Sequence, residues 1–101
     1  MSIIIVASFT AKPGRKDSLR AAFTAGAAKV VSEPGCERYT VQEDDEGFVF
    51  VERWASQEAI DEHEKAEAFT TMMAAVADDL AGPPAVRLLS PLPAEDPKGR
   101  L

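Results

Sequence analysis

Residues 48–55, FVFVERWA, limit what this chain can fold into more than any other stretch. Successive side chains of a strand point to opposite faces. Phe48, Phe50, Glu52 and Trp54 therefore share one face, and Val49, Val51 and Arg53 share the other. Both faces are largely apolar, the pattern of a sheet covered on both sides. A chain of 101 residues makes one domain and buries roughly 60–65 % of its unfolded surface. Its helices suffice for one sheet face only. The second face requires another layer, and a second copy of the same chain, packed sheet to sheet, supplies one.

The other elements fall around this strand. Residues 2–10, SIIIVASFT, are β-branched and strand-forming, with Ile3, Ile5, Ala7 and Phe9 on one face and Ile4, Val6, Ser8 and Thr10 on the other. Lys12-Pro13-Gly14 breaks the strand. From 15 to 32 the period changes. Leu19, Ala22, Phe23, Gly26, Ala27, Val30 and Val31 form one stripe of an amphipathic helix. Glu33-Pro34-Gly35 ends it, because Pro34 disfavours helix at the residue before it. A strand over 36–43 and the strand over 48–55 then flank Glu43-Asp44-Asp45-Glu46-Gly47, read as a hairpin loop in which Gly47 supplies φ > 0.

Ser56 is placed to cap a second helix, with Glu58 in its first turn. Ala59, Ile60 and His63 share one face of it. A further stripe, Phe69, Met72, Met73, Val76 and Leu80, follows a bend near 66–68 and runs to Gly82-Pro83-Pro84. A last strand over 85–92 precedes a polar tail, so the domain spans 1–92 and the tail 93–101. The order β-α-β-β-α-β is the split βαβ of a ferredoxin-like α+β fold.

Charge and composition exclude several functions. The net charge of −6 disfavours nucleic acid and anionic membrane as partners. The single Cys36 rules out an intrachain disulfide and a multi-cysteine zinc site. No apolar run approaches 18 residues and Ile3–Ala7 is too short for a signal peptide core, so the expected compartment is cytoplasmic. Neither a dinucleotide fingerprint nor a phosphate loop occurs, and the acids at 43–46 lack the pattern of a calcium loop. No cofactor and no metal is expected.

His63 is the only histidine, and imidazole is the side chain that ordinarily titrates near neutrality. Two readings fit it. It is a base in a pocket between helix and sheet, or a partly exposed helix-surface imidazole among Glu62, Glu64 and Glu67. Trp54 suits a core anchor at a strand–helix corner, with a ring edge available as a pocket wall. Glu52, if buried, needs a partner, and Tyr39, Arg38 and Arg87 are the candidates. Phe69, Met72 and Met73 are core residues that also make adaptable pocket walls. Cys36 has no adjacent base to make it a nucleophile.

E-P-G-C-x-x-Y at 33–39, F-V-x-V-E-R-W at 48–54 and the alanine and histidine at 59 and 63 resemble the antibiotic biosynthesis monooxygenase family of dimeric α+β barrels. The resemblance covers residues 1 to about 92. It implies a homodimer whose pocket includes the tryptophan matched by Trp54. It also implies, for some members, oxygenation of a phenol or quinol by O₂ without metal, flavin or haem. On that expectation His63 is the catalytic base, and Trp54, Phe69, Met73, Tyr39 and Glu52 bind a small aromatic substrate. The family often carries a second histidine just before the phenylalanine of the next helix; here that position is Ala68. Two other functions stay open: a non-catalytic dimeric module binding a small ligand, and a haem-binding or haem-degrading relative.

Overall fold

The computed structural model describes residues 1–101. The first strand, β1, spans Ile3–Thr10. Gly14, at φ 77°, turns the chain into α1, Lys16–Val30, which buries Leu19, Phe23, Gly26 and Val30 along one stripe. Asp17 in its first turn and Lys29 in its last complement the helix dipole. The hairpin pairs β2, Cys36–Glu43, with β3, Gly47–Trp54. Two helices follow, α2 over Gln57–Lys65 and α3 over Glu67–Val76. The edge strand β4, Ala85–Leu89, closes the domain.

All strand pairs are antiparallel, in the order β2-β3-β1-β4. This is the ferredoxin-like α+β arrangement expected from the sequence, with the helices on one face. That face holds the core. Phe9, Phe23, Phe48, Phe50 and Tyr39 meet tilted or edge to face, Phe23 standing 4.9 Å from Phe50 at 89°. The opposite face carries Val6, Val49 and Val51, each half-buried, and no helix. Ile4 on that face is 4 % exposed, and it borders a groove with Arg53 and the C-terminal segment.

Several local expectations are corrected. Gly47 does not adopt positive φ; only Gly14 and Gly35 do. Gly47 is instead the first residue of β3, where a Cβ would collide with the Phe9 carbonyl oxygen. The loop is shaped by Asp44, whose Oδ1 accepts from the amides of Glu46 and Gly47 at 2.9 Å each. The bend between the last helices is a full break: Ala66 is extended at φ −72°, ψ 151°. α3 stops at Val76, before the glycine and prolines, and passes through a 3₁₀ turn at Ala77–Asp79. Buried Asp79 accepts from Ser18 Oγ at 2.8 Å and so ties that turn to α1. Leu80 then bridges to Ala11. The last strand ends at Leu89 rather than 92.

No helix is long and apolar enough to cross a membrane. Nowhere do three or more histidine, cysteine, aspartate or glutamate side chains form a metal-binding group.

Candidate functional site

Three elements position the polar residues of the candidate site. On β3, alternation puts Glu52 between Phe50 and Trp54 on the helix-covered face. On β2, Tyr39 lies directly opposite Glu52 in the hairpin register and so shares that face. On α2, Ser56 Oγ accepts from the Ala59 amide at 3.1 Å, capping the helix. The cap sets the helix phase that turns Ile60 and His63 inward.

His63 is 4 % exposed. It is therefore not the partly exposed surface imidazole that the surrounding glutamates suggested. Its ring is tilted 33° to the Trp54 ring, with the centroids 4.5 Å apart, and the edges of Tyr39 and Phe69 close two further sides. Nδ1 lies 2.7 Å from Glu33 Oε1. The second nitrogen, Nε2, makes no hydrogen bond within the chain. No sealed side-chain nitrogen or oxygen in the protein lacks a partner. Nε2 is consequently open to a water-sized visitor.

The partner of Glu52 is none of the three expected. Trp54 Nε1–H donates to Glu52 Oε1 at 2.9 Å. Two residues apart on one strand, the side chains stand side by side, so the carboxyl takes a neutral donor and no cation. Arg38 turns instead to the Glu37 carbonyl, and Arg87, opposite Val6 on β1, belongs to the helix-free face. Tyr39 sits opposite Glu52 without bonding to it. Its hydroxyl and Glu52 Oε2 share the status of His63 Nε2: unpartnered within the chain, yet not sealed.

These groups surround a cavity of about 100 Å³ between sheet and helices, lined also by Ile5, Phe50, Ile60, Phe69, Met72 and Met73. It reaches the protein surface beside Pro84 and Val86, where Val86 is 53 % exposed. Of the residues singled out from sequence, His63, Tyr39, Glu52, Phe69 and Met73 line it. Trp54 does not; fully buried, it stands behind His63 and Glu52 and fixes both. A wider depression of about 470 Å³ lies on the outer side of α2, among Glu33, Glu58 and Glu62. It is shallow and acidic, and His63 forms the partition between it and the inner cavity. The inner cavity is the better candidate because Tyr39 and Glu52 line it together with His63 and do not line the depression.

Burial, partly offset by the Trp54 hydrogen bond and reinforced by the Glu64 charge, pushes the Glu52 carboxyl up to about 7. Burial and the charges of Glu52 and Glu33 push the Tyr39 phenol far above its ordinary value, so it is a neutral donor. Half-buried Cys36 is also raised, first by burial, which keeps it a thiol and removes it as a nucleophile. Two participants are invisible to sequence reasoning. Glu33 looks like a helix terminator, and nothing local signals that a residue 30 positions away will meet it. Glu64 looks like solvated surface; it is exposed, and it stands at the cavity rim.

The Mycobacterium tuberculosis protein named "Putative monooxygenase Rv0793" is 33 % identical over 92 residues, covering 89 % of this chain and 91 % of that protein. Its solved structure superimposes with a TM-score of 0.86 at 31 % identity, over 95 % of this chain and 100 % of that one. A Caulobacter crescentus structure, described as a "putative antibiotic biosynthesis monooxygenase", gives a TM-score of 0.82 at 30 % identity, over 87 % of each chain. A Methanosarcina mazei protein at 18 % identity shares the fold, with a TM-score of 0.83 over 88 % of this chain and 91 % of that one. Residues 2–75 match the family model for antibiotic biosynthesis monooxygenases, and they include both strands of the hairpin, Trp54 and His63. The chain belongs to the antibiotic biosynthesis monooxygenase family.

Proposed function

We propose that the protein is a monooxygenase of a phenolic or quinol-type aromatic, using O₂ and no cofactor, with His63 as the base. The observation that carries this reading is that His63, Tyr39 and Glu52, each with a polar atom unpartnered within the chain, line one largely apolar cavity. Such a cavity binds an apolar ring that carries oxygen functions. An engineered cavity of about 150 Å³ admits benzene. The present one, at about 100 Å³, is smaller and open, so it takes the oxygen-bearing edge of a ring, and the remainder of the molecule projects past Pro84 and Val86. Its lining contains no lysine or arginine and two glutamates, which favours an uncharged substrate over a carboxylate or phosphate.

In the proposed reaction His63 Nε2 takes the phenolic proton, and the neutral Tyr39 hydroxyl donates to the resulting oxyanion. Phenolate passes one electron to O₂. The phenoxyl radical and superoxide then combine at an unsubstituted ortho or para carbon to give a peroxide anion. The imidazolium returns its proton to the terminal oxygen, which leaves as water when the ring C–H is lost. One oxygen atom becomes the new carbonyl and the other becomes water. Phenol plus O₂ thus gives quinone plus water, with no outside reductant. The chain contributes binding, deprotonation and exclusion of bulk water.

Oxygen uptake with a panel of anthrones and dihydroxynaphthalenes tests this reading, with product analysis for a quinone bearing one atom of ¹⁸O from ¹⁸O₂. Binding of these compounds without oxygen uptake would replace the enzyme with a ligand-binding module. We also propose that the helix-free face, with Val6, Val49 and Val51 at its centre, packs against the same face of a second copy. Light scattering at micromolar concentration should give a dimer mass. A folded monomer would end that part of the proposal.

A further inference from the structure

We infer that Glu33 is a positioning residue that sets the tautomer of His63 and so makes Nε2 the reactive nitrogen. The inference rests on reading His63 as the base. A neutral imidazole has one nitrogen that donates and one that accepts. A carboxylate accepts only. With Nδ1 at 2.7 Å from Glu33 Oε1, the ring proton sits on Nδ1, and the lone pair is left on Nε2, the nitrogen that has no partner in the chain. Once Nε2 takes a proton, the imidazolium finds a counter-charge already in place.

The segment carrying Glu33 is built for this contact. Pro34 and Gly35 turn the chain out of α1 toward α2. Gly35 is at φ 80°, and a Cβ there would stand 2.5 Å from Ala59 Cβ, on the helix turn just before His63. The Gly35 carbonyl accepts from the Ala55 amide at 2.8 Å, and the Glu33 amide donates to the Val30 carbonyl at 2.9 Å. Glu33 is thus held at both ends of the turn, with 15 % of its side chain exposed against 3 % for His63. The three residues of the E-P-G turn then contribute separately. Glu33 provides the carboxylate for His63, Pro34 directs the exit from α1, and Gly35 permits the close approach to α2.

His63 is the only histidine, so ¹⁵N-histidine labelling reports one imidazole without assignment. With the imidazole neutral, the wild type should show a protonated Nδ1 and a bare Nε2. Glu33→Ala should move the proton toward Nε2 and lower kcat by about 10- to 100-fold, as loss of an orienting carboxylate does elsewhere, with KM little changed. Glu33→Gln keeps an accepting oxygen and should retain the tautomer while losing part of kcat. It also guards against misfolding, being nearly isosteric. A wild type protonated on Nε2, or an unchanged tautomer in Glu33→Ala, overturns the inference. If no phenol is oxidised by the wild type, the oxygenase reading falls, and the ¹⁵N result still decides the role of Glu33.

Discussion

Replacing Glu52 by glutamine should stabilise the protein by an amount that grows as pH rises from about 4.5 to 7 and is complete above neutrality. The substitution keeps the shape and an oxygen for the Trp54 indole N–H while removing a charge that sits 94 % out of solvent. The folded-state value of about 7 stands above the ordinary 4.5. Between these two pH values the folded chain holds a proton that the unfolded chain has released. Folding stability therefore falls as pH rises through that window. Below 4.5 the carboxyl is protonated in both states, and above 7 it is ionised in both, so the cost then stays constant. The interval, 7 − 4.5 = 2.5 pH units, multiplied by 1.36 kcal/mol per unit, gives about 3 kcal/mol at pH 8. Urea unfolding of wild type and Glu52→Gln at pH 4.5 and pH 8 measures it. With slopes of about 1–3 kcal/mol/M, the midpoint gap in favour of the variant should widen by about 1 M or more between the two conditions. Every other titrating group is common to both proteins and cancels to first order. A gap that stays constant with pH, or one that turns in favour of the wild type at pH 8, would refute the assignment of a buried, costly carboxylate.

Trp54→Phe preserves an aromatic ring but removes the donor that holds Glu52 down, so the carboxyl titration, followed by ¹³C NMR, should move above 7. Gly47→Ala should cost about 3 kcal/mol in urea unfolding, since the new Cβ meets the backbone oxygen of Phe9 and not a side chain that can yield. His63→Ala should lower kcat by about 10²–10⁴ and also destabilise by about 2 kcal/mol, because it empties a buried site among three aromatic rings and leaves Glu33 unpaired. Wild-type turnover in His63→Ala would remove the imidazole from the reaction.

The fold is legible in the sequence because its determinants are local or periodic. Alternation in residues 48–54 assigns each side chain of β3 to the correct face, and the spacing of Leu19, Phe23, Gly26 and Val30 marks the buried stripe of α1. The N-cap at Ser56 is readable because its acceptor and donor are three residues apart. The site is legible only as a set of candidates. Five of them share one cavity, but their roles depend on contacts that no period encodes. The burial of His63 arises from Tyr39, Trp54 and Phe69, brought around its ring by three different elements, and its partner Glu33 comes from the turn after α1. The helix acids around His63 point to a surface because their number outweighs one histidine in any window. Gly47 misleads for a related reason: a collision with β1 is a tertiary fact, whereas positive φ is a local habit of glycine.

Trp54 shows why a division between structural and chemical residues fails here. Its indole is fully buried and does not line the cavity, which marks it as core. Yet its N–H lowers the Glu52 carboxyl that would otherwise rise further, and its ring face supports the His63 imidazole at 4.5 Å. One side chain therefore couples the charge of the carboxylate to the orientation of the base. Substitutions at Glu52 and His63 should then be non-additive while Trp54 is present, as residues sharing a partner usually are. A double-mutant cycle of Glu52→Gln and His63→Gln, run in wild type and again in Trp54→Phe, separates the routes. An interaction energy in turnover that persists without the indole N–H would place the coupling in the cavity itself, through a bound substrate or water. One that vanishes would place it in the Trp54 contact, and the tryptophan would then govern turnover without touching what is turned over.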